Sequence, residues 1–95
     1  MPRTFYVITY DIPGNRRRLK MARLLERYGE RVQYSVFEMW LTADEWKRLS
    51  KQIERLIAPQ EDQVRVYRLC AACRERIVSF GESEPLPRPG PVVVI

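Results

Sequence analysis

The spacing of apolar residues changes period twice in the first forty positions. Phe5-Tyr6-Val7-Ile8-Thr9-Tyr10 is a nearly unbroken apolar, β-branched and aromatic run, the composition of a central strand buried on both faces. Asp11-Ile12-Pro13-Gly14-Asn15 reads as a turn, because Pro13 fixes φ and Gly14 and Asn15 suit tight geometry. From Arg16 to Tyr28 the period becomes helical. Met21, Leu24, Leu25 and Tyr28 follow the i, i+3, i+4, i+7 rule and form one apolar face, with Gly29 as the expected C-cap. Arg31 to Leu41 is rich in strand formers (Val32, Tyr34, Val36, Phe37, Trp40). Periodicity leaves two readings there: one continuous strand, or two short strands meeting at Tyr34-Ser35.

Thr42-Ala43-Asp44-Glu45 has the form of a capping box. It opens a second helix with Trp46, Leu49, Ile53, Leu56 and Ile57 on its inner face, stopped by Pro59. Asp62 to Leu69 predicts another strand (Val64, Val66, Tyr67, Leu69), and Arg76 to Phe80 a further short one. Prolines at every second position from Pro85 to Pro91 make a stiff, extended connector. It leads to Val92-Val93-Val94-Ile95, a strand sequence expected to add to a sheet edge, including that of a second protomer. The expected organisation is one domain over residues 1–80, then a connector and docking strand over 81–95.

Hydrophobic content of 45% with 31% charge argues against disorder in these 95 residues. No apolar run approaches the roughly 18–20 residues that cross a bilayer, and Met1-Pro2-Arg3-Thr4 lacks the order of a secretion signal. A cytoplasmic protein with reduced thiols is expected. The net charge of +5 is localised. Between Gly14 and Arg31, Arg16, Arg17, Arg18, Lys20, Arg23, Arg27 and Arg31 face only Glu26 and Glu30, and the remainder of the chain is neutral. Such concentration is a footprint for a polyanion. Arg16, Lys20, Arg23 and Arg27, spaced four, three and four, share one stripe of the predicted helix. A solvated face usually carries acidic i+4 partners; here only Glu26 and Glu30 are available, which favours binding.

Asp11 stands at the end of the first strand, beside this charge. One reading makes it a turn former whose side chain bonds nearby backbone N–H groups. The other makes it a metal ligand for phosphodiester chemistry, because Mg²⁺ is held by one or two carboxylates together with waters and substrate phosphate. A two-fold axis near Asp11 would supply a second carboxylate, and a cation between the two would relieve their repulsion. The chain has no histidine to serve as a neutral-pH base. Cys70-Ala71-Ala72-Cys73 has Cys-x-x-Cys spacing. A four-thiolate zinc site would need two copies of the chain and a redox site a different fold, so two reduced thiols in a strand-to-loop turn are expected.

Three blocks carry a resemblance: Tyr10-Asp11-Ile12-Pro13, Arg16-Arg17-Arg18-Leu19, and Tyr28-Gly29-Glu30-Arg31-Val32-Gln33-Tyr34-Ser35-Val36-Phe37-Glu38. Together with Asp62–Leu69, their order and spacing resemble the small core protein of CRISPR adaptation, CRISPR-associated protein two. The resemblance implies an α+β, ferredoxin-like βαββαβ fold with an additional C-terminal strand: an antiparallel sheet with two helices on one face. It implies two short strands flanking a turn at Tyr34-Ser35, and a homodimer. It also implies a metal-dependent endonuclease using Asp11 with Mg²⁺ or Mn²⁺ on RNA and/or double-stranded DNA. The alternative it carries is a non-catalytic adapter that bridges dimers of the CRISPR integrase subunit. Arg18, Arg31, Tyr10 and Phe37 fall on positions the family ties to activity. The arginines suit bidentate phosphate contacts, whereas Tyr10 and Phe37 read more simply as packing residues. Ser35 would donate to a phosphate or shape its turn. An RNA-recognition-motif reading ranks last, because the aromatic-rich RNP pattern is missing.

Overall fold

The apolar run that begins the chain becomes β1 (Thr4–Asp11), and it is paired along both edges. A computed structural model describes residues 2–81. In these, β1 is followed by α1 (Asn15–Glu26), β2 (Glu30–Gln33), β3 (Val36–Leu41), α2 (Ala43–Leu56), β4 (Gln63–Leu69) and α3 (Ala71–Glu75). The four strands form one antiparallel sheet in the order β2-β3-β1-β4, the ferredoxin-like arrangement. In register, Ile8 lies opposite both Phe37 and Val66.

Alternation along β1 divides the molecule into two unequal halves. Tyr6, Ile8 and Tyr10, with Ile12 just beyond, face the helices. They form the core with Phe37, Met39 and Leu41 of β3, Met21, Leu24 and Leu25 of α1, and Leu49 and Ile53 of α2. On the other face Phe5 is buried at one end only, where its ring lies 5.1 Å from that of Trp40 and the Arg74 guanidinium of α3 sits 4.9 Å above it. Beyond α3 this face holds Val7, Thr9, Val36 and Glu38, all half-buried, and an exposed Tyr67.

Helix α2 starts as its sequence predicts. The Glu45 amide donates to the Thr42 hydroxyl at 3.1 Å, and the Thr42 amide donates to the Glu45 carboxylate at 2.8 Å. This bond, assisted by Arg3, holds the Glu45 carboxyl below its ordinary range. The segment 31–41 is two strands around Tyr34-Ser35, with a register shift between Arg31 and Gln33.

Three expectations are corrected. Residues 76–80 form no strand; the chain turns after α3, with the Arg76 and Ile77 amides donating to Cys73 and Arg74 carbonyls. Helix α3 itself was not foreseen, because its N-cap is Cys70, whose sulfur accepts from the Cys73 amide at 3.4 Å. Gly29 is not the C-cap of α1; that position is Arg27. Gly29 is required by proximity instead, since a Cβ there would lie 2.4 Å from both the Glu38 carbonyl oxygen and the Met39 Cβ. The connector and terminal strand expected over residues 82–95 lie outside the described residues. No helix among the described residues is long and apolar enough to cross a membrane.

Gly29→Ala is expected to cost about 1–3 kcal/mol, because both neighbours of the new methyl belong to a paired strand and cannot yield. Urea unfolding checks this; an unchanged midpoint would contradict so close an approach.

Candidate nucleic-acid interface

Asp11 is the last residue of β1, and its backbone remains in register with Gln63 of β4. One residue earlier, the Tyr10 amide donates to the Ser35 carbonyl at 3.2 Å, tying this end of β1 to the β2–β3 turn. The loop that follows is clamped by Arg18, which donates to the carbonyls of Ile12 at 3.0 Å and Pro13 at 3.2 Å and to the Asn15 side chain. Alternation places the Asp11 side chain with Phe5, Val7 and Thr9, on the face away from α1 and α2. It is exposed, and among the described residues it makes no hydrogen bond or ion pair. The turn-forming role considered for it therefore has no bond to carry it. A rigid backbone presents an unused carboxylate.

The seven clustered cations fall into three groups. Arg17 is occupied: it donates to both carboxylate oxygens of Asp62, at 2.7 and 3.1 Å, and to Glu61 at 3.2 Å. The Asp62 side chain is fully buried and also accepts from the Ala58 amide at 2.8 Å. The Arg17 hydrogen bonds hold the Asp62 carboxyl below the usual carboxylate range, against the opposing effect of burial. Arg17 therefore fastens the α2–β4 loop to α1. Arg18 is occupied by the loop after β1. Arg31 lies over two rings, 5.4 Å from the centroid of Phe37 and 5.7 Å from that of Tyr34. Phe37 is stacked in turn on Tyr10, with centroids 6.2 Å apart. Tyr10 and Phe37 are both buried, as packing residues should be, and they connect Arg31 to the strand that carries Asp11.

Arg16, Lys20, Arg23 and Arg27 are exposed and have no ion-pair partner among the described residues. At 1.5 Å per residue their stripe is about 16 Å long. Lys20, Arg23 and Arg27 also line a groove of about 320 Å³ between α1 and α2, with Leu24 and Leu56 as its floor and Gln52 on the far wall. The Tyr28 hydroxyl donates to the Gln52 side chain at 3.0 Å and holds that wall in place. Helical spacing puts Arg48 and Arg55, both exposed, on the same stripe of α2 as Gln52. Sequence reasoning missed this pair because Asp44, Glu45 and Glu54 offset all but one of the positive charges of α2; the i, i+4, i+7 spacing of Arg48, Gln52 and Arg55 was the available signal.

The remaining candidates are quickly placed. Ser35 offers its backbone carbonyl to Tyr10, and its half-buried side chain makes no hydrogen bond among the described residues. Glu38 lies beside Glu30 across the β2–β3 pair, and burial raises its carboxyl, with Arg74 opposing the shift. Cys70 and Cys73 are free and exposed. The Cys73 amide and thiol hold the Cys70 thiol below its ordinary range, and the same sulfur pushes the Cys73 thiol up. No group of three or more His, Cys, Asp or Glu among the described residues is arranged to hold a metal ion. At the end of β1, one chain therefore offers a single hard oxygen ligand, Asp11, a type that suits Mg²⁺ or Mn²⁺ but falls short of a complete protein cage.

Together these features define a ferredoxin-like domain with a cationic helical groove and an accessible carboxylate at the end of its central strand. The chain belongs to the family described as CRISPR associated protein Cas2, which matches residues 4–77. It is 50% identical over 82 residues to the "CRISPR-associated endoribonuclease Cas2 1" of Chloroflexus aurantiacus, covering 85% of this chain and 88% of that one. Among solved structures, it is similar to a hypothetical protein from Thermus thermophilus, with a TM-score of 0.76 and 34% identity, covering 97% of this chain and 99% of that one. It also matches a chain of a partial Cas6-RT-Cas1--Cas2 complex, with a TM-score of 0.70 and 33% identity, covering 81% of this chain and 90% of that one. The family, the endoribonuclease names of its relatives and this complex together support a nuclease of CRISPR adaptation.

The partition of the arginines is testable by melting. Arg17→Gln leaves the buried Asp62 without its guanidinium and is expected to lower Tm by several degrees, whereas Arg23→Gln should leave Tm unchanged. The pH dependence has a definite sign. Because the folded Asp62 carboxyl titrates below its unfolded value of about 3.9, its stabilisation is complete above that pH and is lost as pH falls through the lowered folded value. Asp62→Asn should remove that part of the acid-limb slope.

Proposed function

We propose that the chain acts as a homodimeric, metal-dependent endonuclease in CRISPR adaptation, binding RNA or double-stranded DNA through its cationic helices and using Asp11 from both protomers. The observation that carries this reading is the Asp11 carboxylate, which makes no bond among the described residues and stands at the end of β1 on the open face of the sheet. The half-buried Val7, Thr9 and Val36 with the exposed Tyr67 make that face the surface on which a second copy fits. A two-fold axis through it brings two Asp11 side chains towards each other, making the paired carboxylates that one chain lacks. The relative named an endoribonuclease supports phosphodiester cleavage, and the complex containing Cas1 supports an integrase partner.

When bound, Mg²⁺ or Mn²⁺ would supply an activated water and neutralise charge developing on the phosphate. Asp11 from each chain holds and orients the site. Arg18 keeps the Asp11 loop from moving, so the carboxylate needs no rearrangement when substrate arrives. Arg16, Lys20, Arg23 and Arg27, with Arg48 and Arg55, attract the phosphate backbone without reading bases. Exposed, unbridged Cys70 and Cys73 fit a cytoplasmic setting. A second reading, a non-catalytic bridge between integrase subunits, is favoured by the single carboxylate per chain and needs only the cationic surface.

Two measurements separate these readings. Asp11→Asn is expected to reduce cleavage to background in Mg²⁺ while leaving the dissociation constant for nucleic acid within about twofold; equal cleavage by variant and parent would leave the bridge alone standing. If a dimer engages about eight phosphates, log affinity should fall with log salt at a slope of roughly −7. A slope near zero would remove nucleic acid as the ligand of the groove.

A further inference from the structure

Tyr34 is the one aromatic ring of the β2–β3 turn, and it is 80% exposed. A core role cannot explain it, since so exposed a ring belongs neither to the buried cluster nor to the partly buried residues packed against it. It is nevertheless held in place from two directions. The Arg31 guanidinium lies 5.7 Å from its centroid and is itself anchored over the buried Phe37. Its chain neighbour Ser35 is bonded to the amide of Tyr10, one residue before Asp11. A large π-surface is thus supported on one side by a cation and left open to solvent on the other. It stands at the same end of the sheet as the carboxylate.

We infer that Tyr34, backed by Arg31, is a stacking platform for one unpaired nucleobase at the Asp11 end of the sheet. The inference deepens the nuclease reading and rests on it. Every base has a π-face, and aromatic stacking beside a guanidinium binds bases without regard to sequence. A paired base in a continuous duplex has both faces covered by its neighbours and cannot use such a platform. The groove on α1 and α2 supplies phosphate attraction to either form. Tyr34 supplies a preference between them, at the same end of the sheet as the residue assigned to the chemistry.

The test avoids cleavage altogether. A single-stranded DNA twelve-mer carrying 2-aminopurine, and its 2′-O-methyl RNA counterpart, are titrated with protein in EDTA, alongside the corresponding duplex. The parent is expected to quench 2-aminopurine fluorescence on both single strands. Tyr34→Ala should abolish that quenching and weaken single-strand binding by about tenfold or more, with the salt slope and duplex affinity unchanged. Tyr34→Phe should behave as the parent. The exposure of Tyr34 makes misfolding of the alanine variant implausible, and its retained duplex affinity would verify the fold. Parental quenching and affinity in Tyr34→Ala, or a parent that binds duplex but no single strand, would overturn the stacking site alone. A parent that binds neither form would overturn the nucleic-acid reading with it.

Discussion

The double pairing of β1 is the constraint on which everything else depends. With β3 on one edge and β4 on the other, the strand is paired on both sides from Phe5 to Thr9, and its register fixes which residues face which way. A slip by one position would send Tyr6, Ile8 and Tyr10 to the open face and Asp11 into the core. The burial of the core is therefore what keeps the carboxylate outside. The bond from Tyr10 to Ser35 and the clamp by Arg18 extend this bonding past the end of the strand, so a solvent-exposed side chain is carried on backbone tied at both sides.

Identical residue types acquire different roles from their surroundings. Arg16, Arg17 and Arg18 are consecutive, yet the helix turns each about 100° from the last. The first reaches solvent, the second reaches a buried carboxylate 45 residues away, and the third folds back on the preceding loop. Arg17 is neutralised by its carboxylate partners, whereas Arg16, and Arg18 on its neutral carbonyl acceptors, keep their charge in the field felt by a polyanion at a distance. A tally of charge therefore overstates the unpaired cationic surface on α1 and understates it on α2, where Arg48 and Arg55 are masked by acidic neighbours.

Much of the fold was legible because its signals are local. The period of Met21, Leu24 and Leu25, the Thr42–Glu45 box and the apolar run of β1 each specify an element within a few residues. The two-strand reading of 31–41 came from family likeness, since strand formers on both sides of Tyr34-Ser35 give periodicity nothing to choose between. Helix α3 was missed because cysteine is an unusual cap and because Ile77, Val78 and Phe80 imitate a strand. The site was less legible. That the Asp11 carboxylate makes no bond among the described residues, that Arg17 meets Asp62, and that Arg31 bridges Phe37 and Tyr34 are all consequences of register between distant segments. Sequence could nominate these residues but not sort them.

In the proposed function, one carboxylate per chain becomes a catalytic site only when two chains present it together. The most direct test is a mixed dimer, isolated by tandem affinity tags, in which one protomer is unaltered and the other carries Asp11→Asn. Its cleavage rate in Mg²⁺ would be compared with those of the parent and the doubly substituted dimer. Paired carboxylates predict that the mixed dimer cleaves at the background rate of the doubly substituted one. Half the parental rate would contradict the account, because each Asp11 would then be acting alone.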